Sequence, residues 1–238
     1  MTNTTCGRQK RRARLALQTL GLLAIAGVAY SSRERLREHL VDVVARRPGG
    51  TLGRLLYRNP RAHFQSFETT LAALDLRSDD RLLEVGCGGG TLLALALASG
   101  CEAKAVDHSR DMVVLASQRN ATACRNGRLE VIHARAEELP FAAEQFTCAA
   151  MTNAFFFVQD PARALQELSR VLRPAGRLAI HTTAPDPPLR MAPPPIARRM
   201  RFYTDEQLHK MASTAGFVDI SVARHDDGYS QLLTAIRP

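Results

Sequence analysis

Residues 82–90 read Leu-Leu-Glu-Val-Gly-Cys-Gly-Gly-Gly, and no other stretch restricts the fold as strongly. Leu82, Leu83 and Val85 form the short apolar run of a buried strand. Glycines then break it, and Thr91 to Ser99 reads as a helix closed by Gly100. Strand, glycine turn and helix are how a doubly wound α/β sheet brings bare backbone and a helix N-terminus up to a cofactor. A dinucleotide fingerprint wants glycines at its first, third and sixth positions, and the sixth position here is Thr91. The pattern is instead E-x-G-x-G-x-G, from Glu84 to Gly90. A carboxylate at that strand end repels phosphates and suits a ligand with an ammonium group and no pyrophosphate.

The units that follow repeat the strand–helix alternation. Ala103 to Asp107 is a short strand ending in an acid, 19 residues after Gly88. That is where an α/β cofactor site keeps the carboxylate that accepts hydrogen bonds from ribose hydroxyls. Asp107 is not needed as a helix cap, because Ser109 is available for that role. A helix over 111–123, strands at Leu129–His133 and Phe146–Met151, and a helix over 162–172 come next, the last opened by Asp160 and Pro161. Gly176 to His181 reads as the fifth strand. Thr204-x-x-Gln207 is a capping box for the last helix, which Gly216 stops, and 218–223 with 229–237 form a closing antiparallel hairpin. Ahead of the first strand, 53–76 reads as a helix or two, with Phe64, Phe67, Leu71 and Leu74 at helical spacing.

The run from Glu84 to Gly90 resembles motif I of the class I S-adenosylmethionine-dependent methyltransferases, of the methyltransferase domain type 11 or UbiE-like kind. The resemblance extends over most of the chain from about Leu52. It implies an α/β, Rossmann-like, seven-stranded and mostly parallel sheet of order 3-2-1-4-5-7-6, with helices on both faces and an N-terminal helical arm. It also implies S-adenosylmethionine as cofactor, with contacts from Glu84, Gly86, Cys87, Gly88, Gly90, Asp107, His108, Met112, Ala136, Glu137 and Asn153. Ala134 to Phe141 resembles the family's G-D-A-x-x-L-P-F loop around the adenine, with Arg135 where the aspartate usually stands. Arginine has no acceptor, so Ala136 backbone and Glu137 are the expected substitutes. Thr147 likewise replaces a usual aspartate, and Phe156-Phe157 a frequent His-His pair. Three consecutive phenylalanines, Phe155 to Phe157, cannot all face one core, which suggests an apolar acceptor pocket.

Charge separates the chain into two parts, an arm over 1–47 and a cofactor-binding domain over 48–238. The net charge is +9, yet residues 1–62 hold 13 Lys and Arg against 3 Asp and Glu, leaving the remainder near neutral. A body without basic excess argues against a nucleic-acid substrate. Leu15 to Tyr30 is uncharged between arginine clusters, so residues 8–37 suggest either attachment to a membrane surface or a helix packed on the body. Cys6, Cys87, Cys101, Cys124 and Cys148 form no C-x-x-C pair, which suits reduced cytoplasmic thiols and no metal site. Residues 184–203, rich in proline and arginine, read as a lid or linker.

Methyl transfer from a sulfonium needs a general base only when the acceptor loses a proton as it attacks. His108, His181 and Tyr203 lie near the expected cleft, and none is assigned a catalytic role. Three functions fit the sequence. One is a methyltransferase of a small, apolar acceptor. Another is a membrane-tethered methyltransferase of a lipid or quinone-like acceptor, and the third a binding module that has lost turnover.

Overall fold

The computed structural model describes residues 63–189, 194–225 and 227–238. The basic arm, its Pro-Gly-Gly boundary, the first part of the 53–76 helices and residues 190–193 of the proline-rich stretch lie outside the described residues.

Seven strands carry the fold: β1 (Arg81–Val85), β2 (Glu102–Asp107), β3 (Leu129–His133), β4 (Phe146–Thr152), β5 (Leu172–Thr183), β6 (Val218–Arg224) and β7 (Ser230–Ile236). They form one sheet in the order β3-β2-β1-β4-β5-β7-β6, as expected. The first five run parallel, and β7 is antiparallel to both β5 and β6. Successive side chains of a strand alternate between faces, and the sequence supplies apolar residues for both. Leu83, Ala149, Met151, Leu178 and Ile180 enter one core cluster, whereas Leu82, Cys148, Ala150 and Ala179 enter the other.

The helices are α1 (Phe64–Leu74), α2 (Thr91–Ala96), α3 (Arg110–Arg119), α4 (Ala121–Arg125), α5 (Pro161–Val171), α6 (Pro194–Ala197) and α7 (Asp205–Thr214). Capping follows the sequence signals. Ser109 caps α3, Asp160 caps α5 ahead of Pro161, and Thr204 with Gln207 forms the full capping box of α7. The helix expected over 111–123 is divided at Asn120, whose amide turns back to bond Gly90 O and Ala116 O, each at 3.0 Å. Strand β5 begins earlier than expected because Leu172 already pairs with Phe146. The Arg173–Gly176 stretch then bulges before Arg177 pairs with Cys148.

Helix α1 departs from its apolar pattern. Its buried residues are Ser66, Thr70 and Leu74, while Phe64 stays exposed. The two hydroxyls satisfy backbone carbonyls, Ser66 Oγ donating to His63 O at 2.8 Å and Thr70 Oγ1 to Ser66 O at 2.7 Å. Thr70 also meets Thr152 at the end of β4, at 3.1 Å. The helix therefore lays a polar stripe over the ends of the central strands.

The opposite ends of those strands are tied by charge. Asp80, just before β1, accepts from Arg177 of β5 at 2.6 Å and from Thr147 Oγ1 of β4 at 2.5 Å. Burial works to raise the Asp80 carboxyl, but bonds from Thr147, Arg77 and Arg177 hold it below its ordinary value. Removing one partner of a buried ion pair leaves the other uncompensated. Asp80→Ala should therefore lower unfolding free energy by roughly 3 kcal/mol, read by urea denaturation at neutral pH.

Candidate functional site

The glycine corner is built at the C-terminal end of β1. The amides of Gly86 and Cys87 donate to Val106 O of β2 at 2.8 and 3.2 Å, and Gly90 N donates to Cys87 O at 2.9 Å. Gly86 has φ +76°, and a Cβ there would stand 2.6 Å from the Ala154 Cβ just after β4. Gly90 has φ +73° and would meet the Ala116 backbone of α3 at 2.8 Å. Only glycine fits both the dihedral and the space. Arg119 at the end of α3 donates to Gly89 O at 2.6 Å, so this helix holds the turn from outside.

Two carboxyls stand at the corner. Asp107 is buried at the end of β2 and accepts from Gly88 N at 2.9 Å and from Ser109 N at 2.8 Å. Burial raises its carboxyl, with those amides, His108 and His133 acting in the opposite direction. A carboxylate has about four acceptor positions, so two remain after these bonds. Glu84 is buried in β1 and its Oε2 has no hydrogen-bond partner among the described residues. Burial, and then the neighbouring Asp107 charge, push the Glu84 carboxyl well above the usual range. Burial likewise pushes the Cys87 thiol up. A buried acid raised in this way beside a second acid is favoured in its charged form by a nearby cation.

The other expected contacts surround this pair unevenly. His108 is partly exposed, its Nδ1 3.6 Å from Asp107 Oδ1. Met112 is fully buried at the start of α3. Ala136 packs against the core from the loop after β3. Glu137 Oε1 is occupied: it accepts from Gln159 N at 3.1 Å, from Asp160 N at 3.4 Å and from Arg135 at 3.3 Å. Arg135 also donates to Gln159 Oε1 at 3.0 Å. The loops after β3 and β4 are thus clasped together.

Asn153 joins a cluster that sequence reading did not assemble. It has φ +56°, and its N–H donates to His181 O at 2.9 Å. Its Nδ2 lies 3.0 Å from His63 Nδ1 and donates to Ser66 Oγ at 2.7 Å, while its Oδ1 lies 3.1 Å from His181 Nδ1. The ring of His225, in the β6–β7 turn, stacks on His181 with centroids 5.5 Å apart. Burial chiefly, helped by His225 and His63 and opposed by Asp227, pulls His181 down to about 4. His63 and Ser66 carry no motif, and only the polar stripe on α1 hints at them.

Residues 83–180 match the family model described as a methyltransferase domain. A demethylmenaquinone methyltransferase of Clavibacter sepedonicus is 35% identical over 113 residues, covering 47% of this chain and 45% of that protein. A malonyl-[acyl-carrier protein] O-methyltransferase of Enterobacter lignolyticus is 34% identical over 130 residues, covering 54% and 49%. Over these residues the chain resembles the class I S-adenosylmethionine-dependent methyltransferases. It spans about half the length of these curated relatives. Among solved structures, the geranyl diphosphate C-methyltransferase of Streptomyces coelicolor A3(2) shares the fold at TM-score 0.65 and 16% identity, over 75% of this chain and 80% of that one. The [4+2]-cyclase SpnF shares it at TM-score 0.62 and 20% identity, over 75% and 82%.

S-adenosylmethionine is the cofactor of this methyltransferase family, and the corner suits it. The orphaned Glu84 oxygen answers a cationic amino group, the open positions on Asp107 answer a sugar diol, and the glycine cradle admits a ligand against backbone. Among the described residues no cluster of His, Cys, Asp or Glu is arranged to hold a metal, and no helix is long and apolar enough to cross a membrane.

The depressed His181 has a consequence for folding. The unfolded chain binds a proton at the ordinary histidine value of 6.5, which the folded chain refuses until about 4. Acid therefore removes stability between those values. Between about pH 7 and pH 5, wild type should lose on the order of 2 kcal/mol more than His181→Gln in urea titrations, and equal losses would show an unperturbed histidine.

Proposed function

We propose that the chain transfers a methyl group from S-adenosylmethionine to a small, largely apolar acceptor. A cyclase carries the same fold, so architecture alone does not support this reading. The buried Glu84 carboxyl with its unpartnered oxygen is the observation that carries it. S-adenosylmethionine brings a methyl group already activated on a positively charged sulfur, and the protein's task is alignment and exclusion of water. Glu84 would receive the cofactor's amino group, Asp107 the ribose hydroxyls, and the corner from Gly86 to Gly90 its backbone approach. Cys87, His108, Met112, Ala136, Glu137 and Asn153 complete the proposed cofactor surround. The relatives' names, a demethylmenaquinone methyltransferase and an O-methyltransferase among them, support a small organic acceptor. Phe155 and Phe156, buried at the β4 loop, and the partly buried Phe157 supply apolar surface on that side.

Because burial and Asp107 favour the protonated Glu84 carboxyl while a bound cation favours the carboxylate, cofactor binding should release protons over the range where free Glu84 is protonated, and affinity should rise with pH through that range. Calorimetry in buffers of differing ionisation enthalpy reads that release, which Glu84→Gln should abolish. In the same titrations Asp107→Ala should weaken binding by roughly 1.5–3 kcal/mol. Undiminished affinity in both variants would remove the site assignment.

A second reading adds a membrane surface. It rests on the uncharged run 15–30 between arginine clusters in residues 8–37, and it directs the enzyme to a lipid or quinone-like acceptor. The full chain should then sediment with anionic vesicles, and a chain lacking residues 1–47 should not. Equal sedimentation of both would end this reading.

A further inference from the structure

We propose that His181 accepts the proton of the methyl acceptor through its Nε2, and that the acceptor presents a phenolic or enolic hydroxyl on an apolar frame. This rests on the reading of the chain as a methyltransferase. The sequence of strands across the sheet supplies the first argument. From β2 to β1 to β4 to β5 stand Asp107, Glu84, Asn153 and His181. With sugar at Asp107 and amino group at Glu84, a ligand that continues in the same direction reaches β4, and its partner meets β5.

Face and height agree. Leu82 and Ala179 belong to one core cluster, so Glu84 and His181, each two residues further along its strand, share that face. Glu84 is level with Ala150 and Ala150 with Ala179. His181 therefore stands about 7 Å closer to the C-terminal rim than Glu84, and about 10 Å across the sheet.

Hydrogen bonds then determine which nitrogen is basic. Ser66 Oγ gives its proton to His63 O at 2.8 Å, so it can only accept from Asn153. That sets the Asn153 amide with Nδ2 toward Ser66 and His63, and Oδ1 toward His181. His63 Nδ1 must then be bare, and His181 Nδ1 must carry a proton. The lone pair of His181 is left on Nε2, and among the described residues the Nδ1 bond is the only hydrogen bond of this ring. His225 Nε2, beside it, is buried without a partner. Two imidazole nitrogens lacking partners at one rim mark where a polar ligand atom is wanted.

The surroundings define the acceptor. Burial chiefly, then His225 and His63, disfavour a charge on His181, and Asp227 favours one. The imidazole is thus neutral and a weak base. An alkyl alcohol holds its proton too tightly for such a base, whereas a phenol, with pKa near ~10, can yield it as attack proceeds. Phe67 lies 6.3 Å from the His63 ring and Phe64 6.2 Å from Phe67, which offers apolar surface to the remainder of the molecule. In the step itself the O–H bond breaks as the Nε2–H bond forms. The pair left on oxygen bonds the methyl carbon, whose former pair departs with sulfur. The imidazolium afterwards gives its proton to solvent. His63 acts only through this network, as a positioning residue, and the side-chain amide of Asn153 orients the His181 ring in addition to the place of Asn153 in the cofactor surround.

The test uses the full chain with ¹⁵N-labelled histidine, S-adenosylhomocysteine and the coloured probe 4-nitrophenol. NMR should find His181 as the Nδ1–H tautomer, and Asn153→Asp should raise its pKa by about 1–3 units through the added charge. At a pH below the probe's own pKa, bound 4-nitrophenol should remain a phenol, since so weak a base takes no proton in the ground state, and its absorbance should move to longer wavelength as its O–H donates to Nε2. His181→Gln should abolish that shift and weaken probe binding about tenfold, leaving S-adenosylhomocysteine affinity within about twofold. His181→Asn, which keeps a donor toward Asn153 without a base, should not restore the shift. An Nε2–H tautomer, a probe that does not bind the loaded protein, or a shift independent of His181 would each overturn the inference. Failure of S-adenosylhomocysteine to bind wild type would instead overturn the methyltransferase reading, and the tautomer measurement stands apart from it.

Discussion

The bond from Gly88 N–H to the Asp107 carboxylate is the contact on which the site depends. A turn with glycines at alternate positions has wide conformational freedom and would cost entropy to fix. Asp107 fixes it from β2, Val106 O fixes its first amides, and Arg119 and Asn120 hold its carbonyls from α3. The corner is thus pre-shaped by its neighbours rather than by its own side chains, of which Cys87 carries the only one beyond hydrogen. In the proposed site Asp107 would have two duties, one toward backbone and one toward ligand. Any loss of affinity on removing it would then combine a missing ribose partner with a loosened turn.

Much of this was legible in the chain because it is local or periodic. The strands and helices follow from apolar runs and glycine or proline stops, the family resemblance implies the strand order, and the caps at Ser109, Asp160 and Thr204 were read from single positions. The distance from Gly88 to Asp107 was visible as 19 residues of one strand–helix–strand unit. The histidine cluster was not, since it brings together positions 63 and 66 at the start of α1, 153 after β4, 181 in β5 and 225 after β6. Nothing in local patterning marks a histidine as facing another element. The break at Asn120 was hidden for the same reason: its side chain answers Gly90, 30 residues earlier.

The departures from the family pattern acquire partners in the structure. Thr147 stands where the family resemblance puts an acid, and its hydroxyl donates to Asp80 at the entrance to β1. Arg135 replaces another acid and, with Glu137 and Gln159, fastens the loop after β3 to the loop after β4. Arg201 extends that clasp, donating to Gln159 O at 2.6 Å while its own amide bonds Phe156 O at 2.8 Å. Substituted positions have been drawn into structural service, and the rim they enclose is more firmly braced than the motifs suggest.

The Asp80–Arg177–Thr147 knot lies at the far end of β1, β4 and β5 from the glycine corner. Foundation and workshop are therefore separate: what keeps the sheet upright shares no residue with what grips a ligand. A lineage with this division can recut the rim around His181 for a new guest while the footing goes untouched.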